Sequence, residues 1–307
     1  MVKLSIVSTL YNSSKTVEGF IDRASAVAKK FAADDFEIIL VDDGSKDDGL
    51  QKAIAKTHNL PQLKVVELSR NFGHHNALRK GLQQASGELV FMLDSDLEEE
   101  PELFSKFYEK LNENTDVVIG VQEGRKGGLF ERISGGIFWR IFNFLTDVKI
   151  PNNISTVRLM KREVALAVLK YQESEFFFSG IQNLAGFNQF NLPFQKESKG
   201  YSSYSLKRRV SMMMSAISSF SSKPLVYLIS LGSLVSLIAI LSGLVLLFRR
   251  FALHADFQMG WSSLILSIWF LSGVIMSMTG ILGIYVAKMF NEVKQRPNTI
   301  VRKIYKK

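Results

Sequence analysis

Cysteine is absent from this chain of 307 residues. Its absence excludes a disulfide-stapled scaffold, a thiolate metal site and a cysteine nucleophile. Two phosphate-cradling signatures are also missing. No G-x-G-x-x-G follows a strand, and no G-x-x-x-x-G-K-[ST] occurs, so neither a dinucleotide fold of the usual kind nor a P-loop is expected. No internal repeat or low-complexity segment is present. The most informative absence is local: residues 225–248 and 261–287 contain no charged side chain. Each run exceeds the roughly 20 residues needed to cross a bilayer. Together they account for a mean hydropathy of +0.10.

Hydrophobic residues make up 47% of the chain, too many for a disordered polymer and ample for a sizeable core. Residues 249–260 are too few for a domain, so the two apolar runs predict a membrane hairpin. Lys207, Arg208, Arg209 and Lys223 precede it. Lys288, Lys294, Arg296, Arg302, Lys303, Lys306 and Lys307 follow it, and the connector holds only Arg249 and Arg250. Basic flanks favour the cytoplasm, which places the N-terminal part and residues 288–307 there. The short apolar run at residues 4–10 holds two Ser and a Thr, so no secretory leader is expected. Most of the formal net charge of +9 sits in the C-terminal tail. Basic charge beside a membrane span suits anionic lipid, and no nucleic-acid partner is expected. Residues 206–223 combine basic residues with Met212, Met213, Met214, Ile217 and Phe220, as in a helix lying on a membrane surface.

Residues 1–205 alternate between apolar runs and helical periodicity. Strands are predicted over 3–10, 36–41, 63–68, 88–93 and 116–120, with helices over 14–32, up to 58, and 74–85. Beyond residue 125 the pattern is mostly helical near 129–146 and 158–170. The alternation predicts an α/β domain with a mostly parallel sheet covered by helices on both faces. Ligands of such sheets bind beyond the carboxyl ends of the strands.

Acidic residues gather at those ends. Asp42 and Asp43 close one strand; Asp94 and Asp96 close another. Side chains two apart in extended backbone leave one face, and paired carboxylates suit Mg²⁺ or Mn²⁺. The same residues also suit a capping loop, with Glu98, Glu99 and Glu100 favouring a helix N-terminus. Gly120, Gly124, Gly127 and Gly128 flank Arg125 and Lys126 in a loop that is either phosphate-seeking or a solvated turn. His74 and His75 are neighbours that a helix would point apart, which favours a surface or cap role.

These motifs, in order, resemble family 2 inverting glycosyltransferases with the GT-A fold. The nearest branch is the polyprenyl-phosphate one, which includes bactoprenol glucosyltransferases and dolichol-phosphate mannose synthases. The opening strand SIVSTLYN (5–12), VDDGS (41–45), LSRNFG (68–73), DSDL (94–97) with Pro101 and Glu102, RLM (158–160) and EVKQRP (292–297) carry the resemblance. It implies a Rossmann-like catalytic domain over 1–205, a juxtamembrane helix over 206–223, two spans at about 224–248 and 261–287, and a basic tail over 288–307. It also implies that Thr9, Leu10, Tyr11, Asn12, Asp42, Asp43, Gly44, Arg70, Asp94 and Ser95 line the nucleotide sugar. Asp94, Asp96 and Glu98 would hold the metal; Arg125, Arg132, Ser134 and Arg158 would contact phosphate or the lipid acceptor. Asp94, Asp96 and Arg158 are the implied catalytic set. A tetramer is implied as well, and small residues in the runs (Gly232, Ser236, Gly273, Ser277, Gly280) permit close helix packing.

The chain departs from the family pattern at four places. Thr9 stands where Pro is usual and Ser13 where Glu is usual. Ser155-Thr156-Val157-Arg158-Leu159-Met160 replaces Gly-Asp-Phe-Arg-Leu-Met, and Ser203 replaces a Lys, with Lys196, Lys199 and Lys207 nearby. A hydroxyl acceptor needs a base to take its proton; an ionised lipid phosphate does not. The expected reaction is therefore transfer of one sugar from a nucleotide diphosphate sugar to a polyprenyl phosphate. The alternatives are glycosyl transfer to another acceptor and a non-catalytic nucleotide-sugar-binding scaffold. A processive polysaccharide synthase is disfavoured because Q-x-x-R-W is missing.

Overall fold

The computed structural model describes residues 2–123, 144–145, 153–195, 218, 221–252 and 260–307. Eight strands, β1 (Leu4–Leu10), β2 (Phe36–Asp42), β3 (Leu63–Leu68), β4 (Leu89–Met92), β5 (Val117–Gln122), β6 (Ile154–Lys161), β7 (Gln189–Phe194) and β8 (Val301–Tyr305), form one sheet in the order β7-β5-β6-β4-β1-β2-β3-β8. β1 pairs in parallel with both β2 and β4, and β2 with β3. These inner strands are mostly apolar and mostly buried because helices cover both faces. All seven residues of β1 are buried. On the covering layers lie α1 (Val17–Ala32), α2 (Gly49–Thr57), α3 (His74–Gln84), α4 (Leu103–Lys110), α5 (Arg162–Leu169) and α6 (Phe178–Leu184). α1 buries Val17, Phe20, Ile21, Ala24 and Ala28, the i, i+3, i+4, i+7 stripe of a core-facing helix. α3 approaches more closely. A Cβ on its Gly81 would meet Val7 Cγ1 at 2.5 Å, so only glycine lets the helix lie this near β1.

Two polar residues in the core are fully matched. Ser5 is buried in β1, donates to Glu37 Oε1 at 2.7 Å and accepts the Gly87 N–H at 2.8 Å. Glu37 also accepts from Ser86 N–H and hydroxyl at 2.6 and 2.8 Å.

The sheet is mixed, as the GT-A fold requires. β6 runs antiparallel between β4 and β5, which corrects the helix expected from residue 158: Arg158–Lys161 belongs to β6, and the helix begins at Arg162. Val157, Leu159 and Met160 are all buried, and β6 is covered on both faces, so its apolar run carries no period-2 signal. The helix expected over 129–146 and the juxtamembrane helix over 206–223 fall almost wholly outside the described residues.

Residues 288–307 were expected as a tail. Instead they finish a helix and then re-enter the sheet as β8, antiparallel to β3, with Val65 opposite Tyr305 and Leu68 opposite Val301. Residues 1–140, 148–205 and 296–307 form one compact unit; residues 141–147 and 206–295 form a second. The second holds α7 (Lys223–Ala252) and α8 (Trp261–Val293). Among the described residues, Ser267–Val293 is long and apolar enough to cross a membrane, and Lys223–Val235 is a shorter apolar stretch. Trp269, Phe270 and Met276 are 78%, 68% and 71% exposed, far more apolar surface than water tolerates on a helix. Three hydroxyls on these helices bond within their own helix: Ser230 donates to Val226 O, Ser277 to Gly273 O and Thr279 to Ile275 O.

Candidate functional site

The chain leaves β1 toward β2 and β3 on one side and places β4 on the other, so its switch point lies at the carboxyl ends of β1 and β4. Such a crevice is where open α/β sheets hold ligands. The loops after β1, β2, β3 and β4 meet there.

Asp42 ends β2 and is buried. Its carboxylate accepts the Gly44 N–H at 3.2 Å and the Ser45 N–H at 3.3 Å. Asp43 follows. Its two oxygens accept the amides of Phe72 and Gly73 at 2.6 and 2.9 Å, and its carbonyl accepts from the Asn71 side chain at 3.0 Å. Burial pushes both carboxyls above the ordinary range, opposed by these hydrogen bonds. Gly44 makes the junction possible. Its φ is +72°, and a Cβ there would lie 2.7 Å from Asn71 N and 2.9 Å from the Arg70 carbonyl carbon. The loops after β2 and β3 are thereby pressed together, with Arg70 stacked 4.1 Å over Phe72.

Thr9 is buried at the end of β1, and Leu10 is wholly buried. Leu10 was expected to line the nucleotide; its side chain belongs to the core, and it offers only its carbonyl, which accepts the Asp43 N–H at 2.9 Å. Tyr11 is half-exposed. Asn12 takes a left-handed φ of 53°, tolerated by Asn, and bonds Ser45 and Lys46. Ser95 is buried. Its hydroxyl donates to Thr9 O at 2.6 Å and lies 3.3 Å from Ser13 Oγ, so Ser13, one of the four departures, sits against the DSD segment.

Asp94 and Asp96 flank Ser95, both part-exposed. Asp96 Oδ1 accepts the Glu98 N–H at 3.0 Å, and Asp94 Oδ1 lies 3.5 Å from His74 Nε2. Among the described residues, no three His, Asp or Glu side chains gather into a metal-holding group. The expected trio Asp94, Asp96 and Glu98 is thus not a closed ligand set. An open pair of carboxylates still fits Mg²⁺ or Mn²⁺, because such ions keep water or phosphate oxygens in their shell.

His74 keeps the surface position expected of it, with its side chain 41% exposed, and it also reaches the crevice. It opens α3 at the carboxyl end of the sheet. Its Nδ1 lies 3.2 Å from Thr9 Oγ1 and its Nε2 3.5 Å from Thr156 Oγ1. Two of the residues that depart from the family pattern therefore touch one imidazole. Burial lowers the His74 pKa, opposed by Glu99. His75 behind it is pushed down to about 3 by burial, with its ring edge-on to Phe177 at 5.5 Å.

Arg158 was expected at a phosphate. It is 2% exposed, and its guanidinium is engaged by Thr156 O, Gln182 Oε1, Ser155 O and Ser179 Oγ at 3.0, 2.9, 2.9 and 3.4 Å. It also stacks 4.6 Å over Phe178. Burial pulls its pKa down to about 10 against the pull of Glu99 and Asp94. Glu99, read from sequence as a helix-end residue, is fully buried and accepts the Ser155 hydroxyl. A charged layer of Arg158, Glu99 and Asp94 thus underlies the crevice. The sequence signal for Glu99 was a carboxylate seven residues beyond the end of β4; for His74 it was a position just after the loop of β3. Arg125, Arg132 and Ser134 lie outside the described residues.

Comparison with known proteins accords with this geometry. Residues 5–169 match the Glycosyl transferase family 2 domain. A protein named among the glycosyltransferases of Mycobacterium tuberculosis is 42% identical over 99% of this chain and 89% of its own length. An undecaprenyl-phosphate 4-deoxy-4-formamido-L-arabinose transferase of Yersinia pestis is 28% identical over 98% of this chain and 93% of its own. The crystal structure of glucosyl-3-phosphoglycerate synthase from M. tuberculosis superposes with a TM-score of 0.50 at 22% identity, covering 71% of this chain and 79% of that one, a likeness of fold.

Proposed function

Because the chain belongs to glycosyl transferase family 2, and is a glycosyltransferase by that membership, we propose that it moves one sugar from a nucleotide diphosphate sugar to a polyprenyl phosphate of the undecaprenyl type. Transfer inverts the anomeric centre and takes place at the cytoplasmic face of the inner membrane. The observation that carries this reading is the relative that uses undecaprenyl phosphate: its similarity extends through the apolar helices as well as the catalytic domain.

In this reading Asp42 and Asp43 face the base and ribose, with Tyr11 and Arg70 at the rim. Asp94 and Asp96 face the diphosphate. A phosphate oxygen of the lipid attacks the anomeric carbon as the bond from that carbon to the nucleoside diphosphate breaks, and the nucleoside diphosphate leaves with the bonding pair. A phosphate monoester is already ionised at neutral pH, so no proton has to be removed. Thr156, where the resembled branch carries an acid, is compatible with that acceptor, because an ionised phosphate needs no base to take a proton. Mg²⁺ or Mn²⁺, held by Asp96 and Asp94 together with phosphate oxygens, would supply charge neutralisation for the departing diphosphate. The chain's own work is positioning. His74 fixes Thr9, Asp94 and Thr156 relative to one another, and Arg158 with Glu99 holds β6 against the end of β4.

The membrane part of the reading has topological support. Residues 296–307 share a folded unit with residues 1–140, so whatever lies between them crosses a bilayer an even number of times. Two uncharged runs meet that requirement, and the basic flanks favour the cytoplasm.

The test is a transfer assay on the full chain in detergent with Mg²⁺, undecaprenyl phosphate and a panel of UDP, GDP and dTDP sugars. A lipid-linked monosaccharide from one donor, lost in Asp96→Ala, is expected. Nucleotide binding without transfer to any polyprenyl phosphate overturns the acceptor; no nucleotide binding overturns the donor site.

A further inference from the structure

β8 closes the edge of β3, and its bonds continue beyond that edge. Ser69, the first residue after β3, donates its N–H to Ile300 O at 2.9 Å, and its carbonyl accepts from Arg302 at 3.1 Å. Both backbone groups of Ser69 are thus fixed by the C-terminal segment. Arg70, Asn71, Phe72 and Gly73 follow directly, and the amides of Phe72 and Gly73 are the donors that grip Asp43. Glu67, one residue before Leu68, is buried. Its two oxygens accept from Arg302 at 3.0 Å and from the Tyr305 hydroxyl at 2.8 Å. Glu67 also acts electrostatically on Asp42, where its negative charge raises the Asp42 pKa. Arg302 supplies the opposite charge to this pair of acids. A third tie runs the other way: Asn298 donates its side-chain N–H to Glu173 O at 3.3 Å, in the loop that Arg79 of α3 holds through Tyr171 O at 2.7 Å.

We propose that Arg302 and Tyr305, on the strand that returns from α8, are positioning residues of the nucleotide-sugar site, acting through Glu67 and Ser69 on the loop that holds Asp43. The inference rests on the donor-site reading given above. Its physical content is a chain of contacts with no gap: β8 sets Ser69, Ser69 sets the turn at 70–73, that turn packs on Gly44 and bonds Asp43, and Asp42 and Asp43 meet the donor. Loss of Arg302 leaves Glu67 with the Tyr305 hydroxyl but without its cationic partner, and its negative charge then acts more strongly on Asp42, which opposes ionisation of the carboxylate that would bind a ribose. The donor site therefore depends on residues that follow the apolar helices in the chain.

The experiment compares full-length Arg302→Ala, Arg302→Lys, Tyr305→Phe and Asp43→Ala with the parent protein. Binding of UDP, GDP and dTDP, each with Mg²⁺, is measured by calorimetry, together with thermal midpoints. Lys161→Ala is the control. It breaks the 2.8 Å pair with Asp116 on the opposite side of the sheet and lowers stability without touching the donor loop. Arg302→Ala is expected to weaken the bound nucleotide about five- to tenfold, the lower part of the range for coupled sites. Tyr305→Phe should weaken it less, Arg302→Lys should restore most of the affinity, and Lys161→Ala should leave it unchanged. Nucleotide affinity within twofold of the parent in both Arg302→Ala and Tyr305→Phe, while Asp43→Ala loses it, overturns the inference and leaves the donor site standing. Equal affinity in Asp43→Ala and the parent overturns the donor-site reading on which the inference rests.

Discussion

At the scale of single residues, the site is built from positions whose side chains are already spoken for. Gly44 shows this most sharply. Its left-handed φ and the backbone atoms of Arg70 and Asn71 within 3 Å of a built Cβ leave room for hydrogen only. Gly44→Ala is expected to cost about 1–2 kcal/mol from the backbone conformation alone, with a further penalty as the two loops are pushed apart. A lowered thermal midpoint together with weakened UDP, GDP and dTDP binding, read by calorimetry, is the expected result; a midpoint loss with unchanged binding would separate the fold of the loop from its use. That Asp42, Asp43, Asp94 and Asp96 stand in the crevice was legible in the sequence, because they close strands of an alternating α/β pattern; Ser95 came from the resemblance alone. His74 and Glu99 were not legible, since each is ordinary at its own position and is drawn into the site only by contacts with Thr9, Thr156 and Ser155 from distant segments. Arg158 was expected at a phosphate, and its guanidinium is instead enclosed by Gln182 and Ser179, contacts that no one-dimensional pattern shows.

Among the elements, the inner strands and their helices follow directly from apolar runs and helical stripes, and the first strands of the structure lie within a residue or two of the expected ones. Strands β6 and β8 do not. β6 is inserted antiparallel, and β8 arrives from the far end of the chain; neither pairing leaves a local mark. The amino end of the sheet offers a pH test. Desolvation tends to raise the Glu37 pKa, but the Ser5 hydroxyl, the Ser86 amide and hydroxyl, and Lys64 together hold it below the ordinary carboxylate range. A carboxyl depressed in the folded state contributes stability that is present above its unfolded pKa and is lost as pH falls through the folded one. Urea midpoints of the parent should therefore fall as pH is taken from 6 down past about 4.5. Glu37→Gln should lower the midpoint at pH 6 and flatten that dependence. An unchanged slope in the variant would remove Glu37 from the account.

For the whole molecule, the decisive relation is that residues 1–140 and 296–307 belong to one unit, with α7 and α8 between them. The absence of cysteine makes the topology measurable without background: every engineered thiol is the only one. Lys15→Cys and Lys306→Cys are expected to react with a membrane-impermeant maleimide only after spheroplasts are opened, and His254→Cys in the connector to react in intact ones. Opposite labelling of Lys15→Cys and Lys306→Cys would contradict the shared fold of the two segments. The two apolar helices were legible as two uncharged runs; that the chain beyond them returns to the sheet as β8 was not, because the basic residues of 288–307 read as a membrane-flanking tail.

The pairing of β3 with β8 also sets an order of events during biosynthesis. Tyr305 and Glu67 are 238 residues apart in the chain. At about 5–20 residues per second, β3 waits on the order of tens of seconds after its own synthesis before its partner exists. Throughout that interval it presents an unpaired edge of the kind that recruits other strands, while α7 and α8 are still being made. The nascent protein therefore passes through a stage in which the edge of β3 is open and the loop that follows it lacks its C-terminal partner.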